Sequence, residues 1–213
     1  MGYLENLWNA LDFGSLRDMV LRLVSVFLCL TVHETCHGLA ALALGDPTAK
    51  RARRLSLNPL RHIDWFGLLM MVTVGFGWAK PVPVVTRYMR DPRWGMVWVA
   101  AAGPAANFLQ GVFWAILFKI LLLAGLRGGF FIDMCLAGIS VNFILMALNL
   151  LPILPLDGGR ILNGFLPYRW SVQFERVERY GIFILLVLMA TGLLSYFLQP
   201  FLIFANWFVN LIV

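Results

Sequence analysis

The chain has 213 residues, of which 61% are hydrophobic and only 13% are charged, and its mean hydropathy is +0.80. Soluble domains contain about 45–50% apolar residues, so this composition excludes a water-soluble globular protein and indicates a membrane protein with several spans. The net charge of +6 would suit nucleic acid, but basic residues in membrane chains usually mark cytoplasmic loops and anionic headgroups, so we expect no nucleic-acid partner.

The first long apolar stretch extends from about Met19 to Leu44 and can cross a hydrocarbon core of about 30 Å. It ends at the turn sequence Gly45-Asp46-Pro47. The residues before it, 1–15, lack the basic start and short apolar core of a cleavable signal peptide. After it, the alternation in Ala52 to Leu57 predicts a short strand.

A second apolar patch, Trp65 to Trp78, is too short for an easy crossing. Basic residues lie on both sides of it, so a crossing would place positive clusters on both faces of the membrane. We therefore interpret the patch as a re-entrant or interfacial element. The residues that follow, Gly77 to Val85, lie between prolines and resemble a strand.

Four more apolar stretches follow, and the last is marginal in length, so it is either a short sixth element or an interfacial helix. They are Trp94 to Leu126, Phe130 to Leu151, Tyr180 to Leu198 and Phe201 to Val213. The sequence thus predicts an all-α integral membrane helix bundle of about five to six membrane segments, with a short re-entrant, β-like segment after the first helix. No polar block could fold separately, so we expect a single domain over residues 1–213.

The distribution of basic residues predicts the orientation in the membrane. Residues 45–93 contain 9 of the 17 Lys and Arg residues and residues 154–180 contain 4, whereas the loop near Arg127 contains one. Loops rich in Lys and Arg face the cytoplasm. We therefore expect a multi-pass cell-membrane protein with its amino terminus outside and the first span running inward.

The first span contains the sequence His33-Glu34-Thr35-Cys36-His37. Histidines four residues apart on a helix face the same way and can bind one Zn²⁺, while the adjacent Glu34 is a candidate general base. A charged side chain at the bilayer centre costs about 2.5–3.5 kcal/mol even on lenient scales, so an idle cluster here would be expensive. The pattern predicts a hydrolytic metal site within the membrane.

A catalytic zinc site needs three protein ligands, and two candidates can supply the third. His62 lies in a polar loop, where we expect a solvated or headgroup-facing role. Asp157 lies among Leu and Pro residues where two prolines, Pro152 and Pro155, break a predicted span. A carboxylate there is costly unless a cation receives it, which favours Asp157 as the ligand over a helix cap or turn near Arg160.

Three motifs together resemble those of the site-2 proteases, a family of zinc intramembrane metalloproteases. They are His-Glu-x-x-His-Gly at residues 33–38, Gly-Pro-x-x-Asn at residues 103–107, and Asn-x-x-Pro-x-x-Pro-Leu-Asp-Gly at residues 149–158. The resemblance covers most of the chain. It is similar to a minimal form of the family, without the PDZ or CBS domains that many relatives have.

The resemblance implies that His33, His37 and Asp157 bind one Zn²⁺ per chain, that Glu34 is the catalytic acid/base, and that transmembrane segments are cleaved. It also implies that Asn149 lies near the active site, where its amide could hydrogen-bond the substrate backbone or the oxyanion. We expect Asn107 and Gly103 to serve helix packing. Expected partners are transmembrane protein substrates and the lipid bilayer, with a regulatory membrane protein or a second copy of the chain as further candidates.

Cleavage of a helical substrate requires local unwinding, because a helix protects its own amides. We hypothesise that an edge at Gly77 to Val85, or at Ala52 to Leu57, adds a strand to the unwound substrate; a plain interfacial loop is the alternative.

Two other functions stay open on the residues alone. A metal-ion transporter or channel could use the same His, Glu and Asp cluster, although many transporters show internal duplication and this sequence has no second copy of the motif. A prenyl-protein endopeptidase would take its third metal ligand from a downstream Glu. The Asp157-Gly158 sequence disfavours this type of protease.

Overall fold

The computed structural model of the protein describes residues 16–74 and 77–212, and the structural statements below concern that part of the chain. It contains seven helices of at least nine residues: α1 (Leu16–Ala43), α2 (Trp65–Val74), α3 (Pro92–Leu123), α4 (Phe130–Asn149), α5 (Asp157–Phe165), α6 (Tyr168–Ala190) and α7 (Leu193–Ile212). Single helical turns lie at Thr48–Arg51, Pro59–Arg61 and Thr86–Tyr88. The expectation that residues 1–15 are no signal peptide lies outside the described residues.

Four of these described helices are long and apolar enough to cross a membrane. They are the Met19–Ala43 part of α1, and all of α3, α4 and α7. The predicted all-helical membrane bundle is therefore confirmed. The count of five to six membrane segments and the re-entrant placement of Trp65 to Trp78, most of which forms α2, stay predictions.

The predicted span from Tyr180 to Leu198 differs from the structure. α6 ends at Ala190 and α7 begins at Leu193, because Gly192 between them has φ +73°, a left-handed conformation that suits glycine and stops a helix. The break predicted at Pro200 is absent, since Pro200 lies inside α7. Membrane helices tolerate proline where neighbours satisfy the freed backbone groups. The predicted fifth segment is therefore divided between α6 and α7, and its last residues share α7 with the predicted sixth segment.

The region between α1 and α3 has less strand character than the sequence predicts. Residues 52–57 form no strand, because the amides of Arg54 and Ser56 donate to nearby carbonyls of the same turn, Ala49 O and Arg54 O. In Gly77 to Val85, a single antiparallel bridge joins Ala79 to Ile63. Within residues 16–74 and 77–212 this bridge is isolated and no strand forms.

Asp46 fixes the end of α1 to the segment before α3. Its side chain is fully buried, and its Oδ2 accepts a hydrogen bond of 2.6 Å from the amide of Val85. Its Oδ1 accepts from the amide of Thr48, at 2.9 Å, and from the Thr48 hydroxyl. Burial alone would raise the pKa of Asp46, but these hydrogen bonds and the charge of Arg51 outweigh it and lower the pKa.

α3 lies at the centre of the bundle and packs against α1, α4, α5 and α7. Small residues allow the close approach of α3 and α4: a Cβ on Gly111 would lie 2.9 Å from the Phe143 ring, and one on Gly138 would lie 2.5 Å from the Trp114 ring. α3 therefore contacts both helices that bear candidate metal ligands, α1 and α5.

The turn between α4 and α5 confirms the predicted break before Pro152. α4 ends at Asn149, and α5 begins directly at Asp157. A Cβ on Gly158 would lie 2.3 Å from the carbonyl oxygen of Leu150, so glycine is needed for α5 to start this close to the end of α4. This contact determines where Asp157 lies in the bundle.

Candidate metal centre

The side chains of His33, His37 and Asp157 meet inside the bundle. The two histidines lie one turn apart on α1, and their Nε2 atoms are 2.9 Å apart. The Oδ2 atom of Asp157, the first residue of α5, lies 3.3 Å from each of these nitrogens. Within the described ranges, these are the residues of the His, Cys, Asp and Glu types that could hold a metal ion as a group of three or more.

The chemistry of these three donors fits zinc. Atoms separated by these distances can all lie about 2.0–2.2 Å from one cation, the usual length of Zn–N and Zn–O bonds. All three residues are buried, with 4%, 8% and 9% of their surface exposed. Burial by itself raises the pKa of Asp157, but the adjacent His33 and His37 imidazoles outweigh it and lower the pKa. A carboxylate is the form of this side chain that binds a cation.

The hydrogen bond made by Nδ1 of His37 determines which of its two ring nitrogens can bind a metal. Nδ1 of His37 donates a hydrogen bond of 2.6 Å to the main-chain oxygen of Val99 on α3. A proton on Nδ1 leaves a lone pair on Nε2, as a metal ligand requires. The corresponding Nδ1 of His33 is buried and has no hydrogen-bond partner among the described residues.

Gly103 on α3 keeps the space beside the two imidazoles open. A Cβ at this position would lie 2.4 Å from Nε2 of His37 and 2.5 Å from Cε1 of His33. Any larger residue would occupy the place where the nitrogens converge. The small residues around Gly103 predicted a packing role, and the structure adds this contact with the candidate ligands.

Glu34 is held by the segment between α2 and α3. Its Oε2 accepts a hydrogen bond of 2.9 Å from the amide of Val82, which lies between Pro81 and Pro83. Two residues earlier, the carbonyl of Lys80 accepts a hydrogen bond of 2.5 Å from the guanidinium of Arg54. Burial lowers the pKa of Arg54, and the nearby Glu34 carboxylate opposes that effect. An acidic and a basic group therefore flank one edge of this extended segment.

The other polar residues singled out in the sequence have local partners. Nδ2 of Asn149 donates to the Leu145 carbonyl of its own helix at 3.0 Å rather than to a residue of the cluster. His62, as expected, is not in the cluster, because its Nε2 contacts the Ser56 carbonyl at 2.8 Å. It is, however, buried rather than solvated.

Asn107 is fully buried, and its Oδ1 accepts a 3.5 Å hydrogen bond from the thiol of Cys29 on α1. This contact joins α3 to α1 and agrees with the expected packing role.

Comparison with known proteins agrees with the geometry. The model of peptidase family M50 matches residues 126–192, which include Asn149 and Asp157. Two bacterial relatives, YwhC of Bacillus subtilis (strain 168) and Rip2 of Mycolicibacterium smegmatis (strain ATCC 700084 / mc(2)155), are each named "Putative zinc metalloprotease". YwhC is 38% identical over 186 residues, covering 84% of each chain. Rip2 is 26% identical over 205 residues, covering 91% of this chain and 71% of Rip2. No solved structure gives a significant match. On these grounds the chain belongs to peptidase family M50, the zinc metalloproteases of site-2 protease type.

Proposed function

We propose that this zinc metalloprotease is an intramembrane endopeptidase that hydrolyses peptide bonds in or near transmembrane segments of membrane proteins. The observation that carries the proposal is the meeting of His33 and His37 with Asp157 inside a bundle of apolar helices. Both histidines lie within a helix that is able to cross a membrane. A peptide bond reaches such a site only if its segment enters the membrane region.

In this proposal His33, His37 and Asp157 bind one zinc ion per chain, and Glu34 is the catalytic acid/base. When bound, zinc supplies a Lewis acid that polarises the scissile carbonyl and lowers the pKa of the attacking water toward about 7. Glu34 takes the proton from this water and later gives it to the leaving amine. The hydrogen bond from Val82 to Oε2 orients the carboxylate and leaves Oε1 available for the proton.

The segment Gly77 to Val85 is the part of the chain best suited to hold an unwound substrate, and we propose that the substrate adds to its edge as a strand. Support comes from the main-chain bonds of its residues, since Lys80 N donates to His62 O at 2.9 Å and Val85 N donates to Asp46. These bonds hold the segment extended beside Glu34. In the other candidate edge, Ala52 to Leu57, the amides of Arg54 and Ser56 already donate within the turn, which makes this edge less suited to strand addition.

Asn149 is a further proposed catalytic residue, acting on the substrate backbone or the oxyanion. Its amide now bonds the Leu145 carbonyl, so this role requires the side chain to turn toward a bound substrate. A rotamer change of this kind is a small motion for a half-buried side chain.

We also propose a cellular location and a set of partners for the protein. Thirteen of the 17 basic residues lie in residues 45–93 and 154–180 (9 + 4), which supports a multi-pass cell-membrane protein whose active site opens toward the cytoplasm. Its partners would be transmembrane substrates and the bilayer, with a regulatory membrane protein or a second copy of the chain as further candidates, and residues 1–213 would form one domain. The transporter alternative has no support, because both relatives are named as metalloproteases.

A cleavage assay in detergent tests the proposal. Wild type and Glu34→Gln are purified, their zinc content is measured, and both are incubated with membrane-spanning peptides. We expect one zinc per chain in both proteins and cleavage only by wild type, since the amide keeps the shape of Glu34 but cannot take a proton. Normal cleavage by the variant would exclude Glu34 as the base.

A further inference from the structure

We propose that Arg93 is a positioning residue for the zinc site, acting from the start of α3 through the far end of α5 on Asp157. The inference rests on the proposed role of Asp157 as a zinc ligand. Arg93 lies in the basic segment before the predicted stretch Trp94 to Leu126, where the sequence predicts only a cytoplasmic orientation signal.

Arg93 holds the carboxyl end of α5. Its Nε donates a hydrogen bond of 2.7 Å to the carbonyl of Gly164, and one of its terminal nitrogens donates a bond of 2.8 Å to the carbonyl of Leu166. The last carbonyls of a helix lack partners within the helix and carry partial negative charge. A guanidinium, with several donors in a fixed plane, satisfies two of them at once.

The same end of α5 is pressed against α3 one turn further along. A Cβ on Gly164 would lie 2.0 Å from Cγ2 of Val97, so only glycine lets the helices approach this closely. At the other end, Gly158 lies against the Leu150 carbonyl. With both ends fixed, a helix of nine residues has little freedom to move Asp157 at its first position.

Residues 93–103 of α3 therefore contact both candidate histidine ligands and the helix that bears Asp157. Arg93 and Val97 hold α5, the Val99 carbonyl holds His37, and Gly103 faces both imidazoles. Arg93 and Gly103, ten positions apart, are separated by about 15 Å along the helix axis. α3 is thus one rigid element that contacts both the histidines and the helix that bears Asp157, and Arg93 is its contact with the far end of α5.

Loss of Arg93 should weaken zinc binding while leaving the ligands themselves in place. Residues that orient metal ligands typically change metal affinity by about 10–100-fold when they are replaced. We expect Arg93→Ala to raise the zinc dissociation constant at least about tenfold. Arg93→Lys, which keeps one donor and the charge, should restore part of the affinity. Arg90→Ala, at an exposed arginine three residues earlier, is the matched control and should bind zinc like wild type.

The experiment measures zinc affinity by chelator competition on the full-length protein in detergent, with the thermal unfolding of the zinc-free protein as a second readout. A role limited to fold stability would lower the unfolding temperature of Arg93→Ala and leave the zinc affinity of the folded protein unchanged. That result, or an affinity within twofold of wild type, would overturn the inference.

A second pair of variants keeps the inference testable if Arg93→Ala does not fold. Gly164→Ala should push α5 away from Val97 and weaken zinc binding, and Val97→Ala in the same chain should relieve the contact and restore it. If Gly164→Ala binds zinc like wild type, the position of α5 does not control the site.

A failure of the proposed function can be told apart from a failure of this inference. If wild type binds no zinc, or if Asp157→Ala binds it like wild type, the proposed ligand set is wrong. If those two proteins behave as expected and only the Arg93 and Gly164 variants do not, the inference alone is wrong.

Discussion

Among the glycines of the described structure, Gly103 is the one where an added methyl group would contact the candidate metal ligands. Its backbone lies beside both imidazoles, and a Cβ would come within 2.4 Å of Nε2 of His37. Because glycine has no side chain, the space beside the imidazoles stays open for a cation. Gly103→Ala should therefore reduce zinc binding at least about tenfold, as replacements beside metal ligands commonly do.

Zinc titration of the purified variant measures this effect. Gly128→Ala is the matched control, because a Cβ there has no neighbour within 4 Å and the variant should bind zinc like wild type. Unchanged zinc affinity in Gly103→Ala would mean that the imidazoles move aside at little cost and that Gly103 serves packing alone.

Asp46 makes stability depend on pH at a site away from the metal. Its pKa is lowered in the folded protein, so its contribution is present above its ordinary pKa near 4 and is lost as the pH falls through the lower, folded value. Asp46→Asn should cost about 1.5–3 kcal/mol at pH 7, the range for hydrogen bonds to a charged group.

The measurement compares the unfolding temperatures of wild type and Asp46→Asn in detergent from pH 7 to pH 3. The difference should be large at neutral pH and shrink below about pH 4. A difference that stays constant over this range would show that the charge of Asp46 contributes nothing.

At the residue scale, the sequence identifies the candidate metal ligands and the candidate base better than the residues that contact them. His33, Glu34 and His37 stand in one motif, and Asp157 is an aspartate that apolar surroundings make costly, so each carries its own signal. The contacts of Gly103 with the imidazoles and of the Val99 carbonyl with His37 depend on how α3 packs against α1. Packing of this kind leaves no local pattern in the chain.

At the element scale, the extended segment Gly77 to Val85 links the proposed base to the proposed substrate edge. Val82 binds Glu34 and Val85 binds Asp46. Of the two residues between them, Pro83 has no amide proton, so Val84 is the one with a main-chain donor. Replacing Val84 and Val85 by proline should lower the cleavage of a membrane-spanning peptide severalfold while zinc content stays at one per chain, because proline removes main-chain donors.

Because Val85 also bonds Asp46, the single variant Val84→Pro is the cleaner test of the edge. The control is the pair Val84→Ala and Val85→Ala, which keeps both donors and should cleave normally. Cleavage by Val84→Pro at the wild-type rate would discard strand addition at this edge.

Helix boundaries show what the apolar pattern can and cannot predict. The helices α1, α3 and α4 follow from apolar length, and Pro152 correctly marks the break after α4. The predicted break at Pro200 is wrong because the interruption lies at Gly192, where φ is +73°. A proline and a glycine are both helix breakers in the sequence, and only tertiary packing decides which one acts.

α5 could not be predicted as a separate element. Its nine residues include three glycines and mix polar with apolar side chains, which gives little intrinsic helix preference. It is stabilised by contacts at both ends, from Leu150 and from Arg93.

At the scale of the whole molecule, the four helices long enough to cross a membrane and the distribution of basic residues predict one topology. With each of these four helices crossing once and the basic segments inside, we expect the loop after α3 to be extracellular and the start of α6 to be cytoplasmic. Both lie at exposed positions, at Gly128 and Arg169.

Cysteine labelling in intact cells tests this topology. In a chain without the native cysteines 29, 36 and 135, a membrane-impermeant thiol reagent should modify Gly128→Cys at once and Arg169→Cys only after permeabilisation. The reverse pattern would place the opening of the active site on the outer face.

The central claim is that one zinc ion is held by two imidazoles from α1 and one carboxylate from α5. Zinc K-edge X-ray absorption of wild type and Asp157→Cys, loaded with one zinc per chain, tests it most directly, because Zn–S bonds are about 2.3 Å long and Zn–N and Zn–O bonds are about 2.0–2.2 Å. We predict only the shorter bonds in wild type and one added sulfur at about 2.3 Å in the variant. Identical spectra from the two proteins would show that residue 157 does not bind the metal.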